Sequence, residues 1–280
     1  MIEFMINNNG GLEIVQRDVS PTVYLDHWAL RKFSEDQTLA ARFTTALKSR
    51  NGPLALSLLN LAEFAKVTIE AQARKAESLV DAILPRVFFL EFNPPVVISR
   101  ENELLAGGPS TPPHVAPNLL KAFIQLKPTS LNPFTACDLF KAVQNSGLAQ
   151  RLNNLADAVV GRVEALRDEL DTNPEFRSAV RRSPSGPQIQ RGTRFIWREL
   201  VRALLVDNRT KITRNHAIDL LHAVVPVAYC DLVLLDKHWE TQVDRVRSRL
   251  KAACMTIPIG KVFSGKANGV EKFLCELGVS

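Results

Sequence analysis

Four acidic residues stand where strands are expected to end or helices to begin. Asp26 follows the β-rich run TVYL, and Asp236 closes the apolar run LVLL. Glu63 lies in the first turns of the helix expected after LALSL, and Asp219 lies near the start of a later helix. Because functional groups collect beyond the carboxyl ends of parallel strands, we expect these four carboxylates to meet at one edge of a sheet.

A comparison of lengths separates Asp236 from its neighbour Asp231. A helix from Asp219 to Cys230 covers roughly 18 Å at about 1.5 Å per residue. The strand from Asp231 to Asp236 returns roughly 17 Å at about 3.3 Å per residue. Because the two lengths match, Asp236 returns to the level of Asp219, whereas Asp231 lies at the opposite end of the strand. We therefore interpret Asp231 as structural.

Four converging carboxylates must have their mutual repulsion relieved. Two close carboxylates repel each other by about 4 kcal/mol at an effective dielectric constant of about 20. Either some of the carboxyl groups are protonated, or a cation is bound among them. Mg²⁺ and Mn²⁺ prefer carboxylate and water oxygens, and such ions can activate water for phosphodiester hydrolysis. The residue types therefore indicate metal-assisted hydrolysis.

Three of the acids also have a simple structural interpretation. Glu63 stands three residues after Asn60, which is the spacing of a helix capping arrangement. Asp26 could likewise cap the helix that follows it, and Asp236 could pair with one of the two basic residues after it. These interpretations stay open beside the catalytic one.

Asp219 is harder to explain structurally, because it lies inside an otherwise apolar helix. His222 is one turn further along and shares its face, so it could orient the Asp219 carboxylate or contact a substrate. A histidine with its hydrogen bonds satisfied in the core is the alternative. We include His222 among the candidate substrate-binding residues.

A basic segment covers residues 174–216, with ten arginines and lysines against three acidic residues. Such runs usually form a solvated surface, but they also contact phosphates. Three arginines are the candidates for contacts with a nucleic-acid backbone: Arg191, Arg194 and Arg198. Phe195 and Trp197 stand among them and could stack on bases, although their helical spacing favours the core.

The order of the predicted elements indicates an α/β protein. Residues 1–16 resemble a hairpin around NNNGG, and alternating strands and helices follow as far as residue 100. We predict a central, mainly parallel sheet flanked by helices, formed by residues 1–100 and 212–280. A large, basic, helical insertion is predicted at 101–211, after a stretch rich in proline and glycine.

Within these regions the apolar spacing predicts particular elements. Helices are expected over 27–49, one long helix at 60–84, a strand at 87–92 that Pro94 and Pro95 end, and a last strand over 255–263. The helices expected in the insertion cover 119–126, 135–146, 148–170 and 194–206.

The composition excludes several classes of protein. With 280 residues and 46% hydrophobic residues, the chain can bury a proper core. Its four cysteines form no C-x-x-C pair, which argues against a disulfide scaffold and a structural zinc site. The N-terminus does not have the pattern of a signal peptide, and no apolar window approaches the length of a membrane span. We therefore expect a cytoplasmic protein without a membrane partner.

The ordered motifs VYLDHW, LNLAEF, AIDLLHA and YCDLVLLDKHW resemble those of PIN-domain-like nucleases, the superfamily that includes VapC-type toxins. The resemblance covers about 20–100 and 212–265. It implies metal-dependent hydrolysis of phosphodiester bonds, usually in RNA, with Mg²⁺ or Mn²⁺ as cofactor. Asp26 resembles the first metal ligand, Glu63 the second acid, Asp219 the acid on the helix and Asp236 the acid that closes the fourth strand.

The motifs depart from the family pattern at two places. Leu234 stands where the family often has Ser or Thr, and His27 and Trp28 follow Asp26 in place of small polar residues. The resemblance nevertheless implies that Asp26, Asp219 and Asp236 bind the metal and that all four acids are catalytic. A role as a toxin or phage-defence effector is implied in the same way, with an antitoxin or immunity protein as a partner. A homodimer is a further option.

Two other functions are compatible with the sequence. The first is a catalytically degenerate PIN-like module that binds nucleic acid or protein, in which the acids cap helices and the insertion is the working surface. The second is a related nuclease that acts on DNA. Metal binding discriminates between the module and the nucleases, whereas nothing in the sequence separates RNA from DNA as the substrate.

Overall fold

The computed structural model of the chain describes residues 1–6, 12–65, 70–108, 111–125, 148–182, 192–207 and 211–278. The helix predicted at 135–146 and Arg191 lie outside these ranges.

The centre of the molecule is a parallel sheet of five short strands. The strands are β3 (Val23–Leu25), β4 (Leu54–Ser57), β5 (Val87–Leu90), β6 (Leu232–Leu234) and β7 (Lys261–Phe263). They lie in the order β5-β4-β3-β6-β7, and every neighbouring pair is parallel. The first four strands are buried along their whole length, as expected for apolar runs covered by helices on both faces. The predicted α/β class and mainly parallel sheet are confirmed.

The N-terminal residues form a separate antiparallel hairpin. Its strands are β1 (Ile2–Ile6) and β2 (Leu12–Gln16), paired from Ile2 opposite Gln16 to Ile6 opposite Leu12. Gln16 reaches the central sheet, because its side-chain oxygen accepts a hydrogen bond of 2.5 Å from the Phe89 amide. The hairpin prediction is confirmed for the two strands.

Helices cover the sheet. In chain order they are α1 (His27–Glu35), α2 (Gln37–Ser49), α3 (Leu58–Ala65), α4 (Glu70–Ile83), α5 (Pro94–Leu105), α6 (Pro117–Gln125), α7 (Leu148–Thr172), α8 (Pro174–Arg181), α9 (Gly192–Val206), α10 (Arg214–Tyr229), α11 (Lys237–Ala252) and α12 (Gly269–Leu277). Among the described residues, no helix is both long and apolar enough to cross a membrane.

The helices predicted over 27–49 are confirmed as α1 and α2, and Asp36 caps α2 by accepting a hydrogen bond from the Leu39 amide. The helix predicted at 60–84 is helical in its described parts, α3 and α4, and residues 66–69 lie outside the described ranges. Two details of the predicted elements need correction. Residues 255–260 do not join β7. Helix α5 was not predicted, because Pro94 and Pro95 were interpreted only as the end of a strand, whereas they occupy the first helical positions.

The described helices of the insertion share the core of the α/β region. Helix α7 packs on α10, and α9 packs on α5, α10 and α11. Leu152, Ala156, Phe195 and Leu200 belong to the same buried cluster as the strands. The insertion therefore packs against α10, the helix that carries Asp219. Helix α5 runs through residue 101, where the insertion was predicted to begin.

Candidate functional site

Asp26 and Asp236 meet at the point where the strand order reverses. Strands β3 and β6 are neighbours, with Leu25 opposite Leu234, and the Asp26 amide donates a 3.0 Å hydrogen bond to the Leu234 carbonyl. The chain connections from these two strands lead to opposite ends of the sheet. In open α/β sheets, this crevice at the carboxyl ends of the strands is where ligands bind.

Both of these aspartates also cap helices. One oxygen of Asp26 accepts a 3.1 Å hydrogen bond from the Ala29 amide, and one oxygen of Asp236 accepts a 2.9 Å bond from the Trp239 amide. Within the described residues, the second oxygen of each carboxylate accepts no hydrogen bond. The capping interpretation of Asp26 is confirmed, and Asp236 caps α11 instead of pairing with a basic neighbour. Each cap uses only half of the carboxylate.

Asp219 faces the same crevice from α10, as the comparison of lengths predicts. It is half-buried, and it accepts no hydrogen bond from any described residue. Burial raises the pKa of Asp219 to about 6, and the negative charges of Asp236 and Glu63 add to this effect against the opposing effect of His222. Asp219 is therefore within electrostatic reach of Asp236 and Glu63.

Asp26 is the most strongly perturbed acid of the cluster. Its side chain is buried, with 8% of the residue exposed. Burial raises the pKa of Asp26 to about 8, His222 and the Ala29 amide oppose the increase, and the charges of Asp236 and Glu63 contribute to it. At neutral pH the folded protein therefore holds a proton on Asp26 unless a cation takes its place.

Glu63 and His222 are joined directly. The Nε2 atom of His222 lies 3.1 Å from Glu63 Oε2, and its Nδ1 atom lies 2.5 Å from the Tyr24 hydroxyl. Burial lowers the pKa of His222, but the hydrogen bond to Glu63 and the surrounding acids outweigh burial and raise it above its usual value. The histidine orients Glu63, whereas the sequence suggested that it would orient Asp219.

His222 is surrounded by protein groups. It is buried, with 3% of its surface exposed, and both ring nitrogens are within hydrogen-bond distance of protein side chains. These surroundings fit the alternative, a histidine of the core with its hydrogen bonds satisfied, whereas a contact between His222 and a substrate stays a prediction.

The capping interpretation of Glu63 is also wrong. Asn60 is not the cap of α3, because its side-chain oxygen accepts hydrogen bonds from the amide and hydroxyl of Ser57, at 2.9 and 3.0 Å. The Asn60 amide group donates to the Leu25 carbonyl at 2.9 Å, next to Asp26. Asn60 thus ties the carboxyl ends of β3 and β4 together, and Glu63 takes no part in this cap.

His27 and Tyr24 were missed in the sequence. The Nδ1 atom of His27 lies 3.6 Å from Glu63 Oε2. β3 ends at Leu25 and His27 begins α1, so the first turn of this helix brings the ring close to Glu63. Tyr24 is completely buried in β3, and no local pattern indicates its partner 198 residues away.

The structure does not bring Arg194 to the acid cluster. Its neighbour Thr193 donates a 2.7 Å hydrogen bond to Glu101, and the Tyr229 hydroxyl donates a 2.6 Å bond to the same oxygen. Tyr229 ends α10 just before β6, at the amino edge of the sheet. The ten residues from Asp219 to Tyr229 cover about 15 Å of helix, so Arg194 lies near the edge opposite the acids.

Arg198 is likewise separate from the acids. It is half-exposed, with its guanidinium 5.4 Å from the ring centre of Phe195. Phe195 is completely buried, so it cannot stack on a base. Trp197 is partly buried and lines a cavity of about 670 Å³ between α7, α8 and α9. Arg191 lies outside the described residues.

A different arginine lies at the same edge as the acids. Arg151, on the first turn of α7, is exposed and lines a cavity with Leu58 and Leu90. These two leucines mark the carboxyl ends of β4 and β5. Arg151 has no ion-pair partner among the described residues, and it is therefore better placed than Arg194 to contact a substrate at the cluster.

The donor set fits a hard divalent cation, although the described residues form no closed cage. Within the described ranges, no three Asp, Glu, His or Cys side chains are close enough to enclose a metal ion as they stand. Mg²⁺ often keeps several waters and uses only one or two carboxylates of the protein. The second oxygens of Asp26 and Asp236 and the carboxylate of Asp219 are donors of that kind.

No protein-family model, curated protein or solved structure matches the chain. The arguments for function therefore come from the geometry of this chain.

Proposed function

We propose that the chain is a metal-dependent endonuclease that hydrolyses phosphodiester bonds, with RNA as the first choice of substrate. The observation that carries the proposal is the cluster of Asp26, Glu63, Asp219 and Asp236 at the reversal of the strand order. Two of these acids have strongly raised pKa values, and no described lysine or arginine forms an ion pair with Asp26, Asp219 or Asp236. Acids with raised pKa values in a crevice are typical of functional sites.

The resemblance to PIN-like nucleases is part of the proposal. It is supported by the parallel order β5-β4-β3-β6-β7 and by the positions of the four acids at one edge. Asp26, Asp219 and Asp236 would hold Mg²⁺ or Mn²⁺. A divalent cation there would lower the pKa of a bound water and neutralise charge on the phosphate.

The residues of the chain have distinct tasks in this proposal. Asp26 and Asp236 are fixed by the helix amides that they cap, so their second oxygens point in defined directions. Glu63, held by His222, accepts a proton from the attacking water. Arg151 contacts a phosphate outside the cleavage site.

A catalytically degenerate binding module is the second candidate. The observation in its favour is that Asp26 and Asp236 both cap helices, which gives them a structural reason to be acidic. In that protein, no acid would bind a divalent cation with measurable affinity. Titration with Mn²⁺, followed by its electron paramagnetic resonance signal, separates the two candidates.

Cleavage assays test the proposed activity and its substrate together. Labelled single-stranded RNA and DNA of the same base sequence would be incubated with Mg²⁺, with Mn²⁺ or with EDTA. We expect cleavage of RNA that requires the metal and is lost in Asp219→Asn. Cleavage in EDTA, or equal cleavage by the variant, would contradict the proposal. Preferential cleavage of DNA would show that DNA, and not RNA, is the substrate.

A role as a toxin or phage-defence effector also belongs to the proposal, with an antitoxin or immunity protein as its partner. Expression in a bacterial host tests this role. Growth arrest by the wild-type chain and normal growth with Asp219→Asn would support it, whereas equal growth of the two strains would oppose it.

A further inference from the structure

A buried chain of polar side chains connects the interior of the sheet with the acid cluster. It begins at Ser57, whose hydroxyl lies 3.3 Å from the Tyr24 hydroxyl. It continues from Tyr24 to His222 over 2.5 Å and from His222 to Glu63 over 3.1 Å. Ser57, Tyr24 and His222 are each at most 3% exposed, and Glu63 is the first member that reaches the crevice, with 22% of its side chain exposed.

The Tyr24 hydroxyl determines how the His222 ring is oriented. Burial raises the pKa of Tyr24 well above its usual value, so the hydroxyl keeps its proton. With Tyr24 at Nδ1, the ring presents Nε2 to Glu63 and donates a hydrogen bond to Oε2 whether the imidazole is neutral or charged. The orientation of the donor therefore does not depend on the protonation state of the histidine.

The arrangement of the elements makes this contact rigid. Tyr24 belongs to β3, His222 to α10 and Glu63 to α3, and each lies within a regular element. Asp219 is one turn before His222 on the same helix, so the helix that holds Glu63 in place also carries another acid of the cluster. A hydrogen bond from an oriented histidine fixes the direction of a functional carboxylate.

We propose that Tyr24 and His222 are positioning residues for Glu63, which the Tyr24 hydroxyl and the His222 ring together hold in one orientation beside Asp26 and Asp219. The proposal rests on the proposed function in one respect, because it takes Glu63 as the group that accepts a proton from water. The geometric part of it, the orientation of the imidazole by Tyr24, applies whatever the protein does.

Tyr24→Phe is the variant that tests the pair, with Ser57→Ala as the matched control. The first change removes the hydroxyl at His222 Nδ1, whereas the second removes the other neighbour of that hydroxyl and leaves the histidine contact in place. We expect Tyr24→Phe to lower kcat by about 10- to 100-fold with an unchanged KM, as for other residues that orient a functional group. Ser57→Ala should keep the wild-type kcat.

His222 variants provide a second series in case Tyr24→Phe does not fold. Gln keeps a side-chain N–H donor, and Ala has none. His222→Gln should therefore retain more of the wild-type kcat than His222→Ala. Equal losses in both variants would overturn the positioning role.

An NMR measurement tests the geometry without any substrate. In protein with ¹⁵N-labelled histidine, the Nε2–H of His222 should give a slowly exchanging signal in the wild type and in Ser57→Ala. The signal should shift or exchange faster in Tyr24→Phe, and an unchanged signal would overturn the inference. If the wild-type protein cleaves no oligonucleotide while the signal changes as expected, the nuclease proposal fails and the orientation of His222 by Tyr24 stands.

Discussion

Buried acids occur in two kinds of surroundings in this molecule. Away from the crevice, the buried acids Glu101 and Glu199 each have two side-chain donors, whereas the buried Asp26 at the crevice accepts a hydrogen bond only from a backbone amide. Glu199, 2% exposed, lies 2.9 Å from Arg202 and 2.7 Å from Arg249, and Glu101, 4% exposed, accepts bonds from Thr193 and Tyr229. At the carboxyl edge of the sheet, burial and the charges of Asp236 and Glu63 instead raise the pKa values of Asp26 and Asp219.

The difference separates structural acids from candidate functional ones. A buried charge with well-placed partners is part of a stable fold, whereas unpaired charges close together destabilise it. A protein retains such a destabilising group when the group has a task that a paired acid could not perform. The acid cluster is therefore the candidate site at which a function would oppose stability.

Removal of a paired acid should have the largest effect on stability. Glu199→Ala leaves Arg202 and Arg249 without their carboxylate between α9 and α11. Breaking such a buried pair costs about 3 kcal/mol, at the lower end of the usual range because both arginines are partly exposed. Denaturant unfolding measures this loss. A change below about 1 kcal/mol, the level of a surface ion pair, would contradict the claim that Glu199 is a stabilising, paired acid.

In contrast to Glu199→Ala, Asp219→Asn should cause a large loss of activity and no loss of stability. We expect cleavage to fall by about 100-fold or more, the typical contribution of a catalytic acid or base. Because burial and repulsion raise the pKa of Asp219 to about 6, its free energy of unfolding at pH 8 should stay the same or increase.

Asp231→Asn is the matched control for Asp219→Asn. Asp231 lies at the amino end of β6 and accepts a 2.7 Å hydrogen bond from the Thr22 amide, which supports its structural interpretation. An asparagine oxygen accepts the same bond, so activity should be unchanged. Equal loss of activity in both variants would show that the two edges of the sheet do not differ as described.

The pH dependence of stability sharpens the comparison for Asp26. Its pKa is about 8 in the folded protein and about 4 in the unfolded chain, so the folded state loses stability as pH rises from about 4 to about 8. In EDTA, Asp26→Asn should be equally stable to the wild type at pH 4 and more stable than it at pH 8, with the gain growing as the pH rises between these values.

The same substitution at Asp36 provides the control for Asp26. Asp36 also caps a helix, through the Leu39 amide, but it is exposed to water. Asp36→Asn should give no gain between pH 4 and pH 8. If Asp26→Asn is the less stable protein at pH 8, the account of Asp26 as a strained acid is wrong.

The smallest effect is expected on RNA binding, for Arg151 and Arg194, which lie at opposite edges of the sheet. Arg151→Ala should lower the slope of log K against log salt for RNA binding by about 1, the contribution of one phosphate contact. Arg194→Ala should leave the slope unchanged. If instead only Arg194→Ala changes the slope, RNA is bound away from the acid edge, and the basic segment is the binding surface.

Much of the fold follows from local patterns in the sequence. The buried strands are short apolar runs, and the matched lengths of α10 and β6 place Asp236 beside Asp219 without knowledge of the sheet. The prolines at 94 and 95 were misinterpreted because the same residues end strands and begin helices.

The contacts inside the site were less predictable. Tyr24 and His222 lie 198 residues apart, and their contact depends on how α10 packs against β3. Arg194 was a candidate phosphate contact from charge composition alone, which carries no information on its distance from the acids, and the first turn of α9 lies near the other edge of the sheet. Residue types thus predicted the acid cluster, and packing determines which groups surround it.

The most direct test of the central claim is anomalous diffraction from crystals soaked in Mn²⁺. The account predicts a peak within about 2.0 to 2.4 Å of oxygens from at least two of Asp26, Asp219 and Asp236. No peak at the crevice, with Asp26 and Asp236 bound only to the amides that they cap, would contradict the account and favour a binding module.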